Sequence, residues 1–372
     1  MFLVINSGST SLKFKVFDKK YQELDFGIIE KIGDKHSIIE FKNKKEIKNI
    51  SSHDEALKIV NNYLNFKKIK IKSIIHRIVH GGDKFQKPIK LNSTIIKQIE
   101  KFSPLAPLHN PINLKTVKSA INLWKKCDHV GVFDTMFFKT LDEKTYLYPI
   151  NYEIAKKYKI RKFGFHGFSH YGMLKEASKK LNKKIGDLNL ITCHLGGGAS
   201  ISAIKNGKAI EISMGFSPNS GLMMMSRSGT IDSEIIFYLS NLGLKNQEIK
   251  DILNFGSGLY GITKIKDLRD IMILCGYKIP GYKSKIKPNN KLKNLAKLAL
   301  NMFIYSIQRQ ISSYITLFDN KIDAIVFSGG IGERNSDIRN LILKDLKILR
   351  HVKTLVVKSN EEKYMLMLSK IQ

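Results

Sequence analysis

A short apolar run that ends in a glycine-rich turn and returns as an alternating strand occurs twice in this chain, and few folds accommodate that repetition. The first copy reads FLVIN, SGSTS, LKFKVFD, with Leu12, Phe14 and Val16 alternating with Lys13 and Lys15, the period-two pattern of a half-buried strand. The second copy reads LNLITC, HLGGG, ASISAI, and Asn206-Gly207 then marks a hairpin turn before KAIEIS. Two copies of one phosphate-sized loop point to a duplicated domain.

The segments around these copies predict alternating strands and helices. KSIIHRIV reads as a strand, PINLKTVKSAINLWKK as a helix entered through Pro111, and CDHVGVF as the next strand. Such alternation argues for α/β layers with sheets covered on both faces. FSHYGMLKEASKKL reads as a helix with Ser169 as its cap. LKNLAKLALNMFIYSIQRQISSYITLF carries Leu295, Leu298, Met302 and Ile311 at helical spacing, interrupted by Lys297 and Arg309, which predicts a buried helix and not a membrane segment. DNKIDAIVFSGGIGERN is a strand leaving through glycines, HVKTLVVK a last strand and NEEKYMLMLSK a last helix. The pattern weakens near Leu141 to Tyr152, where the chain is expected to cross between domains. The expected division is residues 1–137 plus 359–372, and residues 138–358.

Composition narrows the function classes. With 372 residues, 43% hydrophobic residues and three cysteines, the chain is no disulfide miniprotein, disordered tail or collagen-like fibre. Its net charge of +31 would attract polyanions if concentrated on one face. The lysines are instead scattered among Asn and Ile, as in KNKKEIKN, which reads as solvated surface and makes nucleic acid an unexpected partner. Cys127, Cys193 and Cys275 show no CxxC pairing, and no HExxH supports zinc. The run Phe2 to Ile5 is too short for a secretory signal and lacks a basic leader, so a cytoplasmic location is expected.

Four glycine turns follow apolar strands: Ser7 to Ser11, Gly81-Gly82, Gly196 to Gly198, and Gly329 to Gly332. Glycine lets backbone N–H groups approach an anion closely, and the small hydroxyls add donors. Neither a Walker A motif nor a full GxGxxG fingerprint is present. At the expected strand ends stand Arg77, Asp134, His166, His194 and Arg227. A phosphoryl group in flight spreads negative charge over its oxygens, and a guanidinium fork or an imidazole stabilises charge at that point. Asp134 suits either aligning an acceptor or holding Mg²⁺. His76 and His170 read as packing or hydrogen-bonding residues, and no GxSxG supports a serine nucleophile.

These segments resemble the acetate kinase (acetokinase) family, within the acetate and sugar kinase, hsc70 and actin superfamily. The resemblance rests on NSGSTSLK, HRIVHGG, LAPLHNP, VFDT, FGFHGFSH, CHLGGGAS, SMGFSP, RSGTID and SGGIGERN, in the family's order along essentially the entire chain. It implies an α/β fold of duplicated ribonuclease-H-like (actin-like ATPase) domains with an active-site cleft between them. The implied reaction is reversible in-line phosphoryl transfer from ATP to acetate, giving acetyl phosphate and ADP. Mg²⁺ is the implied metal, with Mn²⁺ as a substitute, and a homodimer the implied assembly.

By the same resemblance, Arg77 and Arg227 grip the carboxylate and the migrating phosphoryl, His166 stabilises the transition state, and Asp134 orients substrate or metal. Asn6 and Glu361 match the magnesium positions. Lys13, Ser9 and Ser11 match one phosphate site; His194, Leu195, Gly196, Gly197 and Gly198 match the second. Base and ribose are expected against Asp267, Leu268 and Arg269 and against Gly330, Ile331, Gly332, Glu333 and Arg334. Val79, Leu108, Phe165 and Pro218 match the small apolar acyl pocket. Gly197 stands where Asn is common, a loop closer to butyrate kinases, and Leu268 stands where an aromatic is frequent. The rival readings are a propionate or butyrate kinase and, from another class, an inactive kinase-like nucleic-acid-binding or structural protein.

Overall fold

The computed structural model describes residues 1–42, 44–107, 109–319 and 321–370. The chain divides into two compact units, Met1–Lys139 with Asn360–Gln372, and Thr140–Ser359.

In the first unit the apolar run becomes β1 (Phe2–Ser7) and the alternating run β2 (Ser11–Phe17), joined by the SGST turn. They pair antiparallel, Asn6 opposite Lys13. The chain continues through β3 (Glu23–Glu30), β4 (Ser37–Phe41), β5 (Lys44–Lys48), β6 (Ser73–Ile78), β7 (Ile89–Lys90) and β8 (Asp128–Phe133). These form one sheet in the order β5-β4-β3-β2-β1-β6-β8-β7, in which β1, β6 and β8 run parallel. Apolar residues of the sheet meet Ala56, Leu57, Val60 and Leu64 of the helix His53–Phe66 in one core. Ser52 caps that helix by accepting from the Glu55 N–H. The helix Asn110–Leu123 carries Pro111 in its first turn, as the sequence predicts.

The KNKKEIKN segment, read from sequence as solvated surface, contains the strand β5. All five of its residues are exposed, and they form the outer strand beyond β4. Lysines along a free edge discourage pairing with another chain, which accounts for strand structure without an apolar signature.

The second unit repeats the plan. Its strands are β9 (Leu190–Leu195), β10 (Ala199–Lys205), β11 (Lys208–Ile212), β12 (Ala324–Ser328) and β13 (Lys353–Val356), in the order β11-β10-β9-β12-β13. Antiparallel β9, β10 and β11 correspond to β1, β2 and β3, and parallel β12 and β13 correspond to β6 and β8. The duplication read from two glycine hairpins is therefore a duplication of whole sheets. Asn206 and Gly207 both have positive φ, 51° and 71°, as the two-residue hairpin turn requires.

Three local expectations are corrected. Ser169 does not cap its helix: Gly167–Leu181 starts one step after His166, which takes a left-handed φ of 59°. Ser169 faces inward because the helix starts earlier than the cap pattern implied. The helix Asn290–Ile315 buries Ala296, Ala299, Leu300, Phe303, Ile304, Ile307 and Ile311, whereas Leu298 and Met302 are exposed. Apolar residues surround this helix on more than one face, so spacing alone could not choose the buried one. Finally, the glycines after β12 are not a loop but the first turns of the helix Gly329–Arg334.

Candidate active site

In the first unit, Asn6, Arg77 and Asp134 lie at the carboxyl ends of the three parallel strands, the usual ligand-binding edge of an α/β sheet. Arg77 sends a two-pronged fork to Asp134, Nε to Oδ1 at 2.9 Å and Nη2 to Oδ2 at 2.6 Å. Its Nη1 donates to Asn6 Oδ1 at 3.0 Å, and Asn6 Nδ2 donates to Glu362 Oε1 at 2.8 Å. Burial opposes the charge on Arg77, but Asp134, with Glu361 and Glu362 farther off, outweighs it and pushes the guanidinium pKa up. Arg77 is thus a neutralised cation whose donors are largely committed.

Glu362 was not singled out by sequence. SNEE offers two adjacent glutamates, and only the packing of helix Glu361–Leu368 against β1, β2 and β6 decides that Glu362 is buried against Asn6. Glu361 is half-buried next to it. Lys13 and Ser9 are exposed and Ser11 is half-buried. The turn that carries them is anchored: Asn113 Nδ2 donates to Ser7 O at 2.9 Å, and His53 Nε2 bonds Gly8 O at 2.9 Å.

In the second unit, His166, His194 and Arg227 gather around the Gly196–Gly198 turn. The rings of His166 and His194 lie 4.3 Å apart between centroids. His194 Nδ1 bonds Ser169 Oγ at 2.7 Å, which is the partner that Ser169 finds in place of a cap. A Cβ on Gly198 would meet His166 Cε1 and Nε2 at 3.2 Å and Arg227 Nη1 at 3.5 Å, so the imidazole edge and the guanidinium flank one point. Arg227 Nη1 donates to the Pro218 carbonyl at 3.1 Å, and among the described residues no carboxylate pairs with it. Burial alone pushes its pKa down. The two arginines therefore differ: Arg77 is matched by carboxylates, and Arg227 is a half-buried cation with donors to spare.

The glycine turns also separate into two kinds. Gly81 and Gly82 are crowded; a Cβ would meet Phe85 O at 2.4 Å and Phe102 Cε1 at 2.2 Å, so these glycines serve close chain packing. At Gly197 and Gly330 a Cβ would meet nothing within 4 Å, which leaves room for an anion. Sequence counted the four turns alike.

The remaining expected residues are placed as follows. Val79 is buried in the first unit, its N–H donating to Asn113 Oδ1 at 3.1 Å; Phe165 is buried and Pro218 half-buried in the second. Leu108 lies outside the described residues. Asp267 caps the helix Leu268–Leu274 and receives the Arg269 fork, Nη2 to Oδ2 at 2.6 Å, while the Arg269 guanidinium lies 3.9 Å above the Tyr282 ring. Leu268 is buried and makes no polar contribution. Asn335 Nδ2 lies 2.9 Å from Met272 Sδ, which joins the two segments expected to face the base and ribose. Within the second of them, Glu333 accepts from the Ser359 N–H at 2.7 Å, Gly332 O accepts from Arg339, and Arg334 is exposed.

Comparison with known proteins decides the lineage: the acetokinase family model matches residues 1–364. The chain belongs to the acetokinase family. This acetokinase is 40% identical over 362 residues to the acetate kinase of Thermotoga maritima, covering 93% of this chain and 86% of that protein. Among solved structures it is similar to a propionate kinase from Francisella tularensis, with TM-score 0.89, 34% identity and coverage of 99% and 98% of the two chains. It is likewise similar to the acetate kinase of Porphyromonas gingivalis, with TM-score 0.86, 31% identity and 98% coverage of each. The family's duplicated actin-like ATPase fold agrees with the repeated sheet order of this acetokinase.

Proposed function

We propose that this acetokinase transfers the terminal phosphoryl group of ATP directly to acetate. A carboxylate oxygen of acetate forms a bond to the γ-phosphorus as the bond to the β–γ bridging oxygen breaks, releasing ADP and acetyl phosphate. The observation that carries this reading is Arg227, a half-buried guanidinium to which none of the described carboxylates is paired, facing the Gly198 turn alongside His166. An anion with three oxygens meets that need, and the two donors stabilise charge as it develops on those oxygens.

Arg77 receives a different part. Its fork is spent on Asp134, which supports Asp134 as the group that holds Arg77 in place. The outer face of that guanidinium then orients the acetate carboxylate. Val79, Leu108, Phe165 and Pro218 are assigned to the acetate methyl group, and Lys13, Ser9 and Ser11 with the residues 194–198 to the phosphates. The nucleoside is assigned to Asp267, Leu268, Arg269 and residues 330–334.

The donor set around Asn6 fits Mg²⁺ or Mn²⁺ chemically. Carboxylate and amide oxygens are hard ligands, and Asn6 Oδ1 keeps a second lone pair beyond the one taken by Arg77. Among the described residues no group of three His, Cys, Asp or Glu side chains forms a protein-only cage, as befits an ion held chiefly by phosphate and water. Asn6 and Glu361 would hold it, with Glu362 fixing the Asn6 amide. When bound, the ion neutralises phosphate charge.

A second reading, propionate as the preferred acid, draws on the likeness to the Francisella propionate kinase. Each added CH₂ gains only about 0.8 kcal/mol on burial, so steric closure of the pocket must discriminate. Hydroxamate detection of the acyl phosphate formed from acetate, propionate and butyrate, with ATP and Mg²⁺, tests both. The highest kcat/KM is expected with acetate; a propionate or butyrate optimum overturns the assignment, and no acyl phosphate from any acid overturns the reaction.

A homodimer is also proposed. Ile235, Ile236, Phe237 and Tyr238 on the helix Glu234–Asn241 and Leu298, Met302 and Tyr305 on the helix Asn290–Ile315 are exposed apolar residues, which a second copy of the chain would cover. Among the described residues no helix is long and apolar enough to cross a membrane.

A further inference from the structure

Behind His166 a chain of buried hydrogen bonds runs into the core of the second unit. His166 Nδ1 bonds Ser200 Oγ at 2.9 Å, Ser200 Oγ bonds His170 Nε2 at 2.8 Å, and His170 Nδ1 bonds Thr192 Oγ1 at 2.7 Å. Thr192 Oγ1 in turn donates to the Ser202 carbonyl at 3.3 Å. His170, Thr192, Ser200 and Ser202 are all buried without measurable exposure. The arrangement has a backbone reason. Thr192 of β9 sits opposite Ser202 of β10, and Ser200 is two residues away on the same face. His166 and His170 stand one turn apart at the start of helix Gly167–Leu181, which packs against β9.

The far end of this chain sets its direction, because a carbonyl oxygen only accepts. With the Thr192 proton committed to Ser202 O, Thr192 Oγ1 accepts, and His170 Nδ1 carries a proton. Burial, with the neighbouring His194 as a lesser cause, holds the His170 pKa well below the usual histidine range, so His170 is neutral and has that proton only. Its Nε2 then accepts, the Ser200 hydroxyl donates to it, and Ser200 Oγ accepts from His166.

We propose that Ser200, His170 and Thr192 are positioning residues that fix the proton of neutral His166 on Nδ1, so that its Nε2 edge donates to a phosphoryl oxygen only as the imidazolium. Isolated neutral histidine favours the proton on Nε2, so the relay reverses the ordinary preference. The Nε2 edge is the one that faces Gly198 and Arg227. This inference rests on the proposed role of His166, and it assigns that residue a full positive charge next to Arg227 whenever it donates.

The test is two-bond ¹H–¹⁵N correlation of the histidine rings in the full-length protein at about pH 9, above the ordinary imidazole range. The His166 set is identified by its loss in His166→Gln. The expected wild-type pattern is the Nδ1–H tautomer. In Ser200→Ala it shifts to the Nε2–H tautomer. Thr192→Val, isosteric and without contact to His166, moves it to a mixture by releasing the far end of the chain. A wild-type Nε2–H tautomer, or a His166 pattern unchanged in both variants, overturns the proposal. Should Ser200→Ala fail to fold, Thr192→Val alone decides. The underlying reading fails separately: if His166→Gln leaves kcat for acyl phosphate formation unchanged, His166 has no part in transfer, whatever its tautomer.

Discussion

The Arg77–Asp134 pair offers a perturbation in which stability and activity separate. The fork bonds are 2.9 Å and 2.6 Å, and the side chains are 19% and 2% exposed. Replacing Asp134 with Leu leaves a guanidinium largely out of water, and breaking a buried pair from one side costs about 3–5 kcal/mol. Here the lower end applies, since Asn6 Oδ1 still accepts from Nη1 and Glu361 and Glu362 remain nearby. About 3 kcal/mol corresponds to a fall of roughly 6–12 °C in the melting temperature of a unit this size. Removing both charges in Arg77→Met/Asp134→Leu removes the uncompensated cation, and the double variant should return to within about 1 kcal/mol of wild type. It should nevertheless have lost acyl phosphate formation. Urea unfolding followed by tryptophan fluorescence is the assay, because the chain has one tryptophan, Trp124, and it lies in the unit that holds the pair. A double variant as unstable as Asp134→Leu, or one that keeps its activity, would refute the reasoning.

Arg227→Ala should behave in the opposite sense. With no described carboxylate partner to strand, it should be no less stable than wild type, while kcat falls by about 10²–10³ from the loss of a transition-state donor; parallel losses in urea melts and rate would mean that Arg227 is structural. Acid should destabilise the fold through histidines held neutral by burial. His80 is pushed down to about 4, and His76, His129 and His170 are also lowered. The unfolded chain therefore takes up protons first, so their contribution is complete above about pH 6.5 and lost as pH falls, with about 2 kcal/mol gone from His80 alone by pH 5. Urea midpoints between about pH 8 and 5 should drop on that schedule, and a flat profile would count against neutral burial. Phe237→Asp, on the exposed apolar helix, should yield monomers in sedimentation experiments without loss of secondary structure; an unchanged assembly would place the dimer contact elsewhere.

Much of the fold was legible because its signals are local. Period-two alternation, glycine turns and Pro111 act over a few residues, and they located β1, β2, β9, β10 and the helix Asn110–Leu123 directly. The edge strand β5 escaped because an exposed edge carries lysines and not an apolar pattern. The buried face of Asn290–Ile315 escaped because apolar residues lie on its outer side as well.

For the site, residue chemistry and motif order already named Arg77, Asp134, His166 and Arg227 and the lineage they belong to. Tertiary structure alone decided what each one does with its hydrogen bonds. It matched Arg77 with a carboxylate 57 residues away and, among the described residues, left Arg227 without one, chose Glu362 across 356 residues to hold Asn6, and drew Thr192, Ser200 and His170 into a line behind His166. It also sorted crowded glycines from open ones. The reason is physical: a side chain's identity sets which charges and donors it carries, but burial and pairing depend on neighbours that only the folded sheets bring within reach.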